Sequence, residues 1–316
     1  MTAQTGPNAV QRFARNSLVP IATQLVNKTV DLGFAFAMLR ILGPGGSGSY
    51  DVAVLIWTYA KTFTDFGLQQ LTIRDVAQRP NLAGEYLGLT TILRLLLWLV
   101  TFPIAGGIAF GYWHWFNLSA AGALAMILLI LSIVPDSYSD AANSICIAYE
   151  RMESPAVLTV VKNVLKVAIA LPLLLAGWGV IGLAATALIV NLLTAGCFVW
   201  LVRRLGVRAV WQRPGPEAHG LLVESWPLLI NNLLVGLFFR VDTLVLQPAR
   251  GSVEVGIYNM PYKFLNLLLL IPQYGTLALF PHLSRLAASH AEALARTYAL
   301  AVKLLLALAL PICVAT

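Results

Sequence analysis

Apolar residues run along this chain in long stretches, and polar residues gather between them. Nine stretches are long enough to cross a bilayer as α-helices, near 16–42, 50–73, 86–111, 119–148, 155–177, 179–202, 222–247, 255–282 and 294–316. About 20 apolar residues are needed for one crossing. Connections between them are short, except 203–221, which is basic and contains proline and glycine. The pattern predicts an all-α polytopic membrane protein. It has a polar tail at 1–15, a six-helix lobe at 16–202, a linker at 203–221 and three helices of a second lobe at 222–316. The first span carries Lys28 and Asp31 and lacks a small-residue cleavage pattern, so it is not read as a removable signal.

An internal repeat supports the division. Gly48-Ser49-Tyr50 recurs as Gly256-Ile257-Tyr258, and Asp65-Phe66-Gly67 recurs at the same offset as Gln273-Tyr274-Gly275. Six helices separate the copies, an even number, so both enter the membrane in the same direction. That is a parallel repeat about an axis along the membrane normal, an arrangement of two-lobed transporters. A second lobe of six helices would need more chain, so the sequence is expected to be a fragment ending inside that lobe's third helix.

Composition makes each charge informative. Only 11% of residues are charged, against about 25% in soluble domains. A net charge of +7 would point to nucleic acid in a soluble protein. Here it sorts by loop instead, and no nucleic-acid partner is expected. Arg12, Arg15, Arg74, Arg79, Arg151, Arg203, Arg204, Arg208, Arg213, Arg285 and Arg296 fall on one side of the nine-span arrangement, with only Arg40 and Arg250 at the other. The positive-inside rule then puts the N-terminus in the cytoplasm.

Enzyme and cofactor signatures are not found in the sequence. Cys146, Cys197 and Cys313 fall inside predicted helices and read as small buried apolar residues. His114, His219, His282 and His290 lie at helix ends or in loops without ligand spacing, so neither a metal nor a cofactor is expected. The glycine-rich Gly43–Gly48 segment lacks the Lys-Ser/Thr of a phosphate loop and sits between two membrane helices. A tight turn is the better reading.

Charges inside the spans carry the candidate chemistry. The cations are Lys28, Lys61, Arg94, Lys162, Lys166, Arg240, Lys263 and Lys303, and the acids are Asp31, Asp51, Asp65, Asp136, Asp140 and Asp242. Each costs about 2.5–3.5 kcal/mol at a helix centre, so such residues tend to face a bundle interior or a hydrated path. Residues equidistant from a hairpin turn share a depth. Mirroring about Arg151 matches Asp140 with Lys162 and Asp136 with Lys166, at roughly 17 and 23 Å from the turn. Mirroring about Gly46 matches Lys28 with Asp65 and Asp31 with Lys61. Near Gly251 and Ser252, Asp242 matches Lys263.

Arg94, Arg240 and Lys303 have no acid at matching depth. Arg240 and Asp242 are also about 200° apart around their helix. A cationic surplus inside a bundle suits an anionic substrate, because Arg and Lys pair with phosphate. Arg94 and Arg240 are therefore the leading cavity candidates. Lys303 is a further cavity candidate, and Lys28, Lys61, Lys162, Lys166 and Lys263 follow, since a pair in a hydrated cavity can open to receive phosphate. Asp31, Asp65, Asp136, Asp140 and Asp242 are charge-pair or coupling candidates.

These motifs bring a family into view. Leu42-Gly43-Pro44, Gly48-Ser49-Tyr50, Asp65-Phe66-Gly67-Leu68 and Arg74-Asp75 resemble the N-terminal pattern of polysaccharide (O-antigen, Wzx-like) flippases. The second lobe opens similarly with Trp226-Pro227-Leu228-Leu229, Arg240-Val241-Asp242, Val255-Gly256-Ile257-Tyr258 and Phe280-Pro281-His282-Leu283-Ser284. The likeness implies a two-lobe MOP-exporter bundle that rocks around a central cavity. It implies as substrate an undecaprenyl-pyrophosphate-linked oligosaccharide, moved across a bacterial inner membrane. Membrane lipids and polysaccharide assembly proteins would be further partners. Rival readings are a lipid II flippase, a MATE-type drug exporter, for which the cationic surplus has the wrong sign, and a membrane enzyme or non-transporting scaffold of polysaccharide assembly.

Overall fold

Helix α1 (Pro7–Asp65) comprises two arms joined at Gly43, whose φ of 67° and ψ of −179° interrupt the helix. A side chain is all but excluded from such a backbone, and Pro44 opens the second arm with its fixed φ. The sequence places this turn at Gly46; it lies at Gly43. After α2 (Leu68–Gln78) come α3 (Ala83–Trp115), α4 (Ala120–Leu131), α5 (Ile133–Ala148), α6 (Glu153–Leu175), α7 (Gly179–Arg204), α8 (Pro216–Arg250) and α9 (Ser252–Leu268). The computed structural model describes residues 7–211, 214–268 and 297–300, with positions 302, 303, 306, 307 and 310. Two units compose the chain, Met1–Pro261 and Tyr262–Thr316. Residues 269–296, which hold much of the expected eighth span and the Gln273–Gly275 repeat, lie outside the described residues, as does most of the ninth span.

Among the described residues, five stretches are long and apolar enough to cross a membrane: Pro80–Trp115, Ala120–Ala148, Glu153–Leu175, Gly179–Arg204 and Pro216–Arg250. They coincide with the expected third to seventh spans. Two spans read as continuous are broken. The second breaks at Phe66 and Gly67, whose φ values are 54° and 80°. A Cβ on Gly67 would lie 2.7 Å from Leu228 Cβ and 3.0 Å from the Ser225 carbonyl oxygen, so the glycine lets α8 approach. The fourth breaks at Ser132. Pro135 cannot donate to the preceding turn and its ring crowds that turn's carbonyls. Asn191 of α7 donates to the Ser132 carbonyl at 3.1 Å.

The interior of the first unit is layered. One apolar core joins Val52, Ile56 and Ala60 of α1, Ala105 and Ala109 of α3, Met126 and Ile130 of α4, and Val180 and Ala184 of α7. A second joins Val76 of α2, Leu87 of α3, Ala141, Ile145 and Cys146 of α5, and Phe198 and Val202 of α7. Between these two sets, on each helix in turn, fall the polar residues: Lys61 and Asp65, Arg94, Asp136 and Asp140, Asn191 and Thr194. A polar layer thus crosses the bundle at mid-depth. Large apolar side chains such as Leu99, Leu175, Leu192 and Phe238 face outward, as they do toward lipid.

The repeated glycines meet each other. A Cβ on Gly48 would fall 1.7 Å from the Ser252 carbonyl oxygen and 2.8 Å from Gly256 N; one on Gly256 would fall 2.1 Å from the Pro44 carbonyl oxygen and 3.1 Å from Gly48 N. Pro44 and Ser252 are separated by the same offset as Gly48 and Gly256. The second arm of α1 and the start of α9 therefore cross in a self-complementary way, backbone on backbone, as about a local two-fold axis. The segment after α7 is also held: Val210 N donates to the Gly84 carbonyl at 2.9 Å, and a Cβ on Gly88 would strike the Val210 carbonyl oxygen at 2.0 Å.

Candidate functional site

The polar layer is a set of ion pairs among five spans. Arg94 of α3, 1% exposed, donates from Nη2 and Nε to Asp65 Oδ1 at 2.7 and 3.1 Å. Asp136 of α5, 2% exposed, takes Lys162 of α6 on Oδ1 at 2.8 Å and Lys61 of α1 on Oδ2. Lys61 also reaches Asp140 at 3.2 Å. Lys166 of α6 donates to Asp31 of the first α1 arm at 2.6 Å. One turn away, Asn163 donates to the Asn27 carbonyl at 3.0 Å, fixing α6 against that arm. These paired charges are tolerable at this depth because they meet an opposite charge and a hydrogen bond.

Exposure grades across the layer. Asp136 and Arg94 form a buried floor, whereas Lys61 is 29%, Lys162 33%, Lys166 36% and Asp31 42% exposed. Apart from Asp31, the half-exposed side chains are lysines, whose ammonium groups have N–H donors to spare. Lys28 is half-buried on the same arm as Asp31 and has no ion-pair partner among the described residues. The layer can therefore present several cationic donors, backed by fixed carboxylates, to a polar ligand.

The predicted partners need correction. Arg94, expected to lack an acid, holds Asp65, which displaces the expected Lys28–Asp65 pair. Asp31 pairs with Lys166 and not with Lys61, and Lys61 takes Asp136 and Asp140. Lys162 meets Asp136, one turn from the expected Asp140. Turn position accounts for part of this. The first turn sits at Gly43 instead of Gly46, and the α5–α6 turn passes through Glu150 at φ 55°, one residue before Arg151. Packing of non-consecutive helices accounts for the rest, since α6 lies against α1 and α2 against α5.

In α8 Asp242 accepts from Tyr258 Oη at 2.7 Å, and Thr243 donates to Asn259 Oδ1 at 3.2 Å. Arg240 is half-buried, and both it and Asp242 lie within electrostatic reach of Tyr59. Lys263 and the exposed Lys303 belong to the second unit, so the Asp242–Lys263 pair stays an expectation. The sequence reading missed Asn27, Asn163, Asn191, Gln247 and Asn259, all buried. The available signal was an amide inside an apolar helix, a common glue between membrane helices. Near α2, Arg74 binds both Asp75 and Glu224 of α8, at 2.7 and 2.6 Å.

A family model described as "Polysaccharide biosynthesis protein" matches residues 13–287. The chain belongs to the polysaccharide biosynthesis protein family. Several MATE transporters of solved structure share its fold. The MATE multidrug transporter DinF-BH, solved with R6G, aligns with TM-score 0.64 and 15% identity over 88% of this chain and 65% of its own. An outward-facing multidrug resistance MATE transporter of the MOP superfamily aligns with TM-score 0.57 and 14% identity over 91% and 73%. A MATE transporter solved with MaD5 aligns with TM-score 0.58 and 14% identity over 93% and 78%. No curated protein matches the sequence. At this identity the likeness fixes the architecture, a multi-pass helical transporter fold, and leaves the cargo to the residues of the site.

Proposed function

We propose that this chain is part of a flippase carrying a polyprenyl-pyrophosphate-linked oligosaccharide, of the undecaprenyl type, across a bacterial inner membrane, with its N-terminus in the cytoplasm. The observation that carries the reading is the mid-depth layer, in which the lysine side chains of Lys61, Lys162 and Lys166 stay partly exposed and Lys28 adds another. Family membership supports a glycan-linked cargo, and the MATE-like fold supports alternating access.

Physical chemistry joins these. Sugar hydroxyls cannot enter hydrocarbon without hydrogen-bond partners, so the head group needs a hydrated cleft while its polyprenyl tail stays in lipid. Ammonium groups on the cleft wall would hold the pyrophosphate, and rocking of the lobes would turn the cleft from one leaflet to the other. Arg240 would contribute from the second lobe. Chemistry on the cargo is not part of this role, and no residue is assigned a catalytic one.

The test is translocation of a fluorescent lipid-linked oligosaccharide in proteoliposomes. Lys162→Ala with Lys166→Ala should reduce the rate about 10-fold or more, the scale of losing charge-assisted contacts to phosphate. A rate within twofold of wild type would remove the lysine layer from the mechanism.

A further inference from the structure

Resting on the anionic-cargo reading above, we propose that Asp136 is a positioning residue: its buried carboxylate holds Lys61 and Lys162 side by side as one fixed pair of donors for phosphate. Its two oxygens are divided between ammonium groups from helices far apart in sequence, Oδ1 to Lys162 at 2.8 Å and Oδ2 to Lys61. Asp136 itself is 2% exposed and both lysines are about a third exposed, so the carboxylate lies behind the donors and does not face a ligand.

Each ammonium group has three N–H donors. Lys61 spends two, on Asp136 and Asp140, and Lys162 spends one. One donor and two donors remain, set at a fixed separation. A free lysine must give up much rotamer freedom to bind phosphate. Here Asp136 has removed that freedom before the ligand arrives. Asp31 and Lys166 provide the contrast, because both are half-buried and the carboxylate of their pair is itself 42% exposed.

Positioning and net charge predict opposite signs. Deleting an acid from a cationic wall should tighten anion binding if charge alone governs. Loss of the clamp should weaken it. Calorimetric titration of the purified chain in nanodiscs with inorganic pyrophosphate separates the two. Asp136→Asn is expected to weaken binding about 10-fold, the lower end of what losing an orienting partner costs at metal sites, and Asp136→Glu to recover most of the loss. Asp31→Asn should tighten binding about twofold by charge alone.

An Asp136→Asn protein that binds pyrophosphate as tightly as wild type, or tighter, overturns the clamp and leaves the anionic-cargo reading standing. Wild-type protein that binds no pyrophosphate overturns both. A wild-type measurement covers the case in which Asp136→Asn does not fold. Pyrophosphate should slow acetylation of Lys61 and Lys162 together, read by mass spectrometry; protection of one alone, or of neither, overturns the clamp.

Discussion

Arg94 and Lys166 show how burial sets the worth of an ion pair. Arg94 is 1% exposed and its partner Asp65 17%, so removing one charge strands the other in a low-dielectric layer. Asp65→Ala should destabilise the protein by about 3–5 kcal/mol, the usual cost of a broken buried pair, whereas Asp65→Leu with Arg94→Met should return to within about 1 kcal/mol. Chemical unfolding in detergent measures both. The Lys166–Asp31 pair is 36% and 42% exposed, and screening leaves such pairs at most about 1 kcal/mol. Lys166→Ala should leave the melting curve nearly unmoved while affecting cargo translocation. A large stability loss there would mean that the pair is structural.

At the scale of helices, two glycines set how closely α1 and α9 cross. A methyl group on either would meet backbone oxygen, at 1.7 Å for Gly48 and 2.1 Å for Gly256, and backbone cannot swing aside as a side chain can. Gly48→Ala and Gly256→Ala should each cost about 1–3 kcal/mol, the range for overpacking. Because the two contacts are equivalent, the two losses should be similar. The double variant should cost less than their sum, since the first methyl already parts the helices and coupled neighbours are not additive. A severe effect from one glycine and none from the other would refute the equivalence.

For the molecule as a whole, the link between α2 and α8 is where the proposed rocking would be restrained. Arg74 reaches Glu224 at 2.6 Å beside the close approach of Gly67 to Ser225 and Leu228. Both charged side chains are about half exposed, so the pair contributes little to stability and can open and close at small cost. Cysteines at 74 and 224, in a background lacking Cys146, Cys197 and Cys313, should abolish translocation when bridged by a short cross-linker and recover it on reduction. Pyrophosphate binding should persist in the bridged protein. Translocation by fully bridged protein would show that these helices need not part.

The sequence by itself determined the third to seventh membrane spans, the mid-depth charges and the repeated glycines. Hydrophobic length and helical period are local properties, and a charge in an apolar helix stands out wherever the helix goes. Depth matching also found the right layer, because axial position follows from a fixed rise per residue. Only the tertiary structure decided which carboxylate meets which ammonium group. Each residue added or removed at a turn rotates a helix by about 100°, so a turn at Gly43 instead of Gly46 redirects a whole face. The bundle then sets α6 against α1 and α5 beside α2, and from any one helix several neighbours stand at equal depth. Choosing among them takes the packing of all the helices at once, and that is why Arg94 found Asp65 and Asp136 came to hold two lysines.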